Sequence, residues 1–180
     1  MENPVNEVRD VVRGVTEPHD AAEIARNVEK YFTEDAIILH PALDLPRTPN
    51  SRDHIMGIYK WFRVNTINQK IWFNSVAFNE DFTICHIDLT EDLYLRNIPL
   101  ISQKKFSGRL LVTLELKKCD DNKYRITSQR DTALSDISWT GLASGIFPLV
   151  GTLKYYWKAW AAIFAGTTGR FLLGRGWLGP

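Results

Sequence analysis

The chain has 180 residues and nearly balanced charge, 22 Lys and Arg against 21 Asp and Glu, which leaves room for one packed domain and an appendage but offers no basic stripe for nucleic acid. The balance hides a segregation: 18 basic and 21 acidic residues precede Ile137, whereas the last 44 residues carry four basic residues, no acidic one and nine aromatic side chains. Two cysteines, Cys85 in an apolar stretch and Cys119 beside a turn, argue against a disulfide framework and for a reducing compartment; with no apolar leader among the first residues, the expected location is intracellular.

Asn3-Pro4 reads as a cap followed by proline at the first helical position, and Val5, Val8, Val12 and Val15 recur at helical spacing until Pro18 ends the run. A second helix starts at Asp20, with Glu23 three residues on in a capping-box pattern and Ile24, Val28 and Phe32 along one stripe. A short apolar run, Ala36 to Leu39, ends in His40-Pro41 and leads to a loop punctuated by Pro46 and Pro49. Ser51 is expected to cap a third helix with Ile55, Ile58, Tyr59 and Phe62 on its buried face. From Gln69 the period becomes two, and strands are predicted over residues 70–78, 82–96, 106–118 and 123–134, the last two joined at Asp120-Asp121-Asn122. In the third of these, Leu110, Val112, Leu114 and Leu116 take one face while Arg109, Thr113, Glu115 and Lys117 take the other. Helices followed by an antiparallel meander make an α+β domain over residues 1–136, with residues 137–180 as a tail.

In the tail, Ile137 to Leu153 is uncharged, but Gly141, Gly145, Pro148 and Gly151 interrupt it, and a spanning helix needs about 20 largely apolar residues. From Pro148 a helix is expected, with Lys154 and Lys158 on a polar edge and Tyr156, Trp157, Trp160, Ile163 and Phe164 on a broad apolar side, broken at Gly166-Thr167-Thr168-Gly169. Arg170, Phe171 and Trp177 would form a second contact. Indole rings settle at the bilayer interface while Lys and Arg meet anionic phosphates, so this amphipathic segment is expected to bind a membrane surface of anionic lipid peripherally. The alternatives are that it packs back on the domain, forms a homodimer interface, or spans or re-enters the bilayer as a hairpin.

Phe32-Thr33-Glu34-Asp35-Ala36-Ile37-Ile38-Leu39-His40-Pro41, followed by Ser51-Arg52-Asp53-His54-Ile55, resembles the F-x-x-D-A-x-x-x-x-P … G-R-x-x-I signature of the nuclear-transport-factor-2-like superfamily. That superfamily includes SnoaL-like polyketide cyclases, ketosteroid isomerases and scytalone dehydratase, and the resemblance spans residues 5–134. With its tail, the chain is most similar to the fungal SigF-like branch. The resemblance implies a cone-shaped α+β fold, a curved antiparallel sheet wrapped around three N-terminal helices with an apolar ligand-binding pocket at the open end, plus the C-terminal apolar helical tail. It implies no cofactor and no single reaction.

In the ketosteroid isomerases the residue before this proline is the proton-abstracting carboxylate; here it is His40, whose ordinary pKa of about 6.5 suits a general base. The other reading of His40 is a hydrogen bond to backbone at the turn. The isomerases' protonated aspartate in the penultimate strand corresponds to Val112, and the first helix holds no tyrosine, so steroid isomerisation by that mechanism is disfavoured. Asp131 lies on the last strand, where SnoaL-like cyclases carry an acid that works on the substrate; its rival reading is a surface ion pair with Arg130. Tyr31, Asp35, Tyr59 and Trp61 are further candidate lining residues, and His86 is expected to face solvent. No metal-ligand spacing or nucleophile elbow occurs. Three functions follow as alternatives: a membrane-associated binding module for a small apolar molecule, lipid-like or polyketide-like; an isomerase, cyclase or dehydratase with His40 as base and Asp131 assisting; or a partner-binding or dimerising domain.

Overall fold

At the N-terminus, Asn3 turns extended and its side chain accepts from the backbone N–H groups of Val5 and Asn6, which starts α1 (Pro4–Thr16) with proline at the first helical position. Val8, Val11 and Val15 are its buried face, with Val12 beside them; Val5, predicted on this stripe, is exposed. Asp20 caps α2 (Ala21–Tyr31) by accepting from the Ala22 N–H at 2.7 Å, and Ile24 and Val28 run on to Phe32, all fully buried. The computed structural model describes residues 1–41, 43–96, 105–133 and 148–176.

The apolar run before His40 is the end of a longer strand, β1 (Phe32–His40), followed by β2 (Leu43–Leu45) and α3 (Ser51–Asn65). Ser51 is not the cap: it is the first helical residue, buried, with its hydroxyl donating to the Thr48 carbonyl, and Asn50 holds the cap position without a side-chain bond. The predicted meander follows as β3 (Thr66–Phe78), β4 (Ile84–Leu95), β5 (Lys105–Lys118) and β6 (Tyr124–Ala133). The six strands form one sheet in the order β2-β1-β6-β5-β4-β3. All neighbours are antiparallel except β1 and β6, which run parallel and extend the meander at its far edge. Register shifts at Ile67/Lys70 and Phe73/Ser75 in β3, with Asn68 at φ 53, bend the sheet so that its concave face closes over the helices.

Phe32, Ile24, Ile55, Ile87 and Leu114 lie at the centre of the core between helices and sheet. Arg63 is buried against the α3 end of this core, its Nε donating to the Pro18 carbonyl at 2.9 Å and its guanidinium to that of Thr66, so the α1–α2 turn is tied to the start of β3. Both cysteines are free. Cys85 is fully buried on β4, where desolvation pushes its thiol up to about 12; Cys119 sits partly exposed at the β5–β6 turn.

The tail helix, α4 (Pro148–Gly174), packs on α3 and β2 and runs unbroken through the Gly166 to Gly169 stretch predicted to end it. Glycine inside a helix costs about 1 kcal/mol relative to alanine, yet here it lets two backbones meet. A Cβ on Gly57 of α3 would fall on the Gly166 carbonyl oxygen, and one on Gly169 would fall on that of Gly57. Ala162, Ala165, Gly166 and Gly169 form the buried side of α4. Lys158 pairs with Asp44 of β2 at 2.9 Å and Arg170 with Asp53 of α3 at 3.7 Å. The predicted polar edge is thus partly turned onto the domain. Residues 137–147 and Trp177 of the predicted tail, and the Lys154 side chain, lie outside the described residues. Among the described residues no helix is long and apolar enough to cross a membrane.

Candidate functional site

Beneath the concave face lies a cavity of about 130 Å³. Helix α1 supplies Val12, Val15 and Thr16, and α3 supplies Ile58, Tyr59, Trp61 and Phe62. The sheet supplies Ile38 and His40 from β1, Leu43 from β2, Ile71 from β3, Leu89 from β4, and Leu110 and Val112 from β5. Against these mostly apolar walls stand a few polar groups: Gln129 and Asp131 on β6, Glu91 on β4, Gln69 on β3 and His40. Such a ratio of apolar wall to sparse polar groups is typical of a small-molecule site.

The polar groups form an ordered chain. The Tyr59 hydroxyl donates to Gln129 Oε1 at 2.8 Å, which turns the amide nitrogen of Gln129 toward Asp131, where it lies 3.1 and 3.0 Å from the two carboxyl oxygens. Residues 129 and 131, two apart on one strand, share its inward face. Asp131 is held up to about 7 by desolvation, reinforced by the negative charge of Glu91 and opposed by the Gln129 bond. Glu91 is raised too, again by burial, with a bond from Gln69 pulling the other way. Burial, then Asp131, raises the Tyr59 phenol, which stays a neutral donor. His40 is lowered to about 4 by desolvation and by the nearby Lys158, against the pull of Asp44, so its imidazole is neutral at physiological pH.

The predicted candidates divide. His40, Tyr59, Trp61, Val112 and Asp131 all line the cavity. Asp131 has Gln129 as its partner, while Arg130, on the other face of β6, is exposed. Tyr31 and Asp35 are not among the lining residues. Tyr31 lies under the Lys30 ammonium at 4.7 Å, and Asp35 faces outward to Arg47 at 2.5 Å, an ion pair that lowers its carboxyl together with the Thr33 hydroxyl. His86 is exposed as predicted, with Nδ1 3.1 Å from the Thr113 hydroxyl.

Sequence reasoning missed Gln69, Glu91 and Gln129. For Glu91 a signal existed: it occupies the same strand parity as Ile87, Leu89 and Leu93, so a carboxyl falls on the apolar side of β4. No group of metal-ligating side chains occurs among the described residues.

In chemical terms, the cavity offers an apolar berth with one carboxyl near neutrality. Protonated, Asp131 donates to a carbonyl or hydroxyl; ionised, it accepts a proton. His40, with so low an affinity for protons, serves as a neutral hydrogen-bonding group and is a weak base at neutral pH.

A family model described as the SigF NTF2-like domain matches residues 1–177. No curated protein sequence matches the chain. Among solved structures, an NTF2-like superfamily protein from Salmonella enterica superposes with a TM-score of 0.57 at 11% identity, over 74% of this chain and 93% of that one. A protein of unknown function from Mycobacterium tuberculosis gives 0.53 at 13% identity, over 94% and 89%. A hypothetical protein of ketosteroid-isomerase-like fold from Catenulispora acidiphila, solved in complex with trimethylamine, gives 0.52 at 14% identity, over 72% and 87%. At these identities the likeness is one of fold.

Proposed function

The chain belongs to the SigF NTF2-like domain family, and from that premise we propose that it is a binding module for one small, largely apolar molecule, held by a single polar end and met at an intracellular membrane surface. The observation that carries this reading is the convergence of Tyr59, Gln129 and Asp131 at one place on the wall of an otherwise mostly apolar cavity. At about 130 Å³ the space lies below the ~300–1,000 Å³ of drug-sized pockets, so the occupant is small or inserts only one end. The trimethylamine complex of the Catenulispora protein supports a small-molecule occupant in a fold of this kind. Lipid is where apolar molecules of this class partition, which is why the membrane belongs to the reading.

The experiment is occupancy of the cavity by a neutral naphthalene fluorophore. Val112 is 5% exposed and points inward from the middle of β5, so Val112→Trp fills the berth. Wild type is expected to bind the fluorophore with enhanced emission and the variant to lose binding at least tenfold, while the far-ultraviolet dichroism of both agrees. Equal binding by the two proteins would sink the reading.

The acidity of Asp131 favours a second reading, an isomerase- or lyase-type enzyme in which Asp131 rather than His40 moves the proton. The two readings separate at Asp131→Asn. A binding module keeps its molecule with at most a modest change in affinity, whereas an enzyme loses turnover by two or more orders of magnitude.

A further inference from the structure

The small side of α4 packs on α3 and β2; the large side chains of the helix are exposed. Trp157 is 73% exposed, Trp160 71%, Phe164 66% and Tyr156 60%, with Phe171 and Ile163 also exposed on the same helix. Trp157, Trp160, Phe164 and Phe171 recur at the three-, four- and seven-residue steps that keep side chains on one face. The helix is therefore two-sided by size rather than by polarity: alanine and glycine inward, indole and phenyl outward.

We infer that α4 is a fixed lipid-contact surface, welded to the domain by its small side and laying Tyr156, Trp157, Trp160, Phe164 and Phe171 into the headgroup region of an anionic bilayer. Charge decides the occupant. From Ile137 to Pro180 there is no acidic residue; of the four basic ones Lys158 and Arg170 are paired with Asp44 and Asp53 of the domain, and the Arg175 guanidinium lies over the Phe171 ring at 4.5 Å, on the exposed face itself. A second copy of the chain in a symmetric pair would set the Arg175 end of this face against a segment that has no acidic residue to meet it. Anionic phosphates supply that complement, and Trp and Tyr favour the interface where apolar body and polar tip are both accommodated. The Gly57, Gly166 and Gly169 contacts and the Lys158–Asp44 and Arg170–Asp53 pairs bind the other side, so the helix meets lipid without leaving the domain.

This inference rests on the membrane half of the proposed function and is independent of the cavity, whose occupancy the fluorophore measures separately in the same preparations. The test is flotation of the full chain with phosphatidylcholine vesicles, with and without phosphatidylserine, beside the triple variant Trp157→Gln, Trp160→Gln, Phe164→Gln. These side chains are exposed, so the variant is expected to fold as wild type. Wild type is expected to float with the phosphatidylserine vesicles, more weakly with neutral ones, and the variant to lose at least tenfold in partitioning. Amide hydrogen exchange across Ile55 to Tyr59 of α3 should be unchanged by vesicles, since α4 remains in place. Absence of wild-type flotation, equal flotation of the variant, or a wild-type dimer that the variant abolishes would each overturn the assignment. Flotation accompanied by faster exchange in α3 would overturn the fixed mode, because a released helix uncovers Gly57.

Discussion

Asp131→Asn is expected to make the protein more stable than wild type at about pH 8, by on the order of 3 kcal/mol, and to bring no gain at about pH 4. The folded state holds the Asp131 proton up to about 7, against an ordinary value of 3.8. Between these values the folded chain keeps a proton that the unfolded chain has released. The contribution of Asp131 is therefore fully present below its ordinary value and lost as pH rises through about 7. Above that, the fold carries an ionised carboxylate against apolar walls, and asparagine removes the charge while keeping an oxygen for the Gln129 amide. Glu91, also raised by burial, acts in the same direction.

His40 runs the other way. Its folded pKa is lowered from 6.5 to about 4, so its contribution is present above 6.5 and lost as pH falls toward about 4. In wild type the two slopes oppose each other over nearly the same window. In Asp131→Asn the His40 slope is exposed and stability climbs from pH 4 to 6.5; in His40→Gln the Asp131 slope remains and stability falls as pH rises. Urea denaturation of the three proteins at a series of pH values reads this directly. A variant Asp131→Asn that is less stable than wild type at every pH would show that the carboxyl serves the Gln129 bond and the fold rather than the cavity. A half-buried acid that weakens its own fold at neutral pH is the mark of a group retained for what it does to a bound molecule.

Replacing Gly57 with leucine has the largest expected structural effect. Its Cβ would lie 2.3 Å from the Gly166 carbonyl oxygen, a backbone atom that no side-chain rotation moves aside, so α3 and α4 must part. The loss is put at about 3 kcal/mol or more, at the upper end of what overpacking costs. Limited proteolysis should cut α4 in the variant under conditions that leave wild type intact, and the melting temperature should fall with it. Gly174→Ala is the control. A Cβ there meets nothing within 4 Å, and the change should stay within about 0.5 kcal/mol. If Gly57→Leu melts as wild type does, the close approach of the two helices is wrong.

The meander was legible because strands β3 to β6 alternate clearly: Val112, Leu114 and Leu116 are buried where period two puts them. The parallel pairing of β1 with β6 was not, since nothing in the local periodicity of Phe32 to His40 says which distant strand its backbone will meet. The same parity separates the site candidates. Asp35 stands an odd number of positions from His40, and the two side chains lie on opposite faces of β1, one at Arg47 and the other in the cavity. Gln129 and Gln69 carried no signal, because an uncharged amide on an inward position is indistinguishable from a surface residue until its partner is known. The α4 break was misread for a related reason. Glycines at 166 and 169 signal a helix end in isolation, and only Gly57, more than 100 residues earlier in the chain, turns them into a contact surface.

The unequal placement of the two thiols has a practical consequence. Cys85, fully buried and with its proton held to about 12, will not react with a maleimide in the folded chain, whereas Cys119 stands partly open at the β5–β6 turn. The wild-type sequence thus takes a single dye per molecule without any engineered cysteine. Asp131 lies on β6 seven residues beyond its first residue, Tyr124, and at about 3.3 Å per residue the label stands on the order of 20 Å from the carboxyl. That is a working distance for resonance energy transfer to a fluorescent guest, so filling and emptying of the cone can be followed one molecule at a time from a position that leaves the cavity walls untouched.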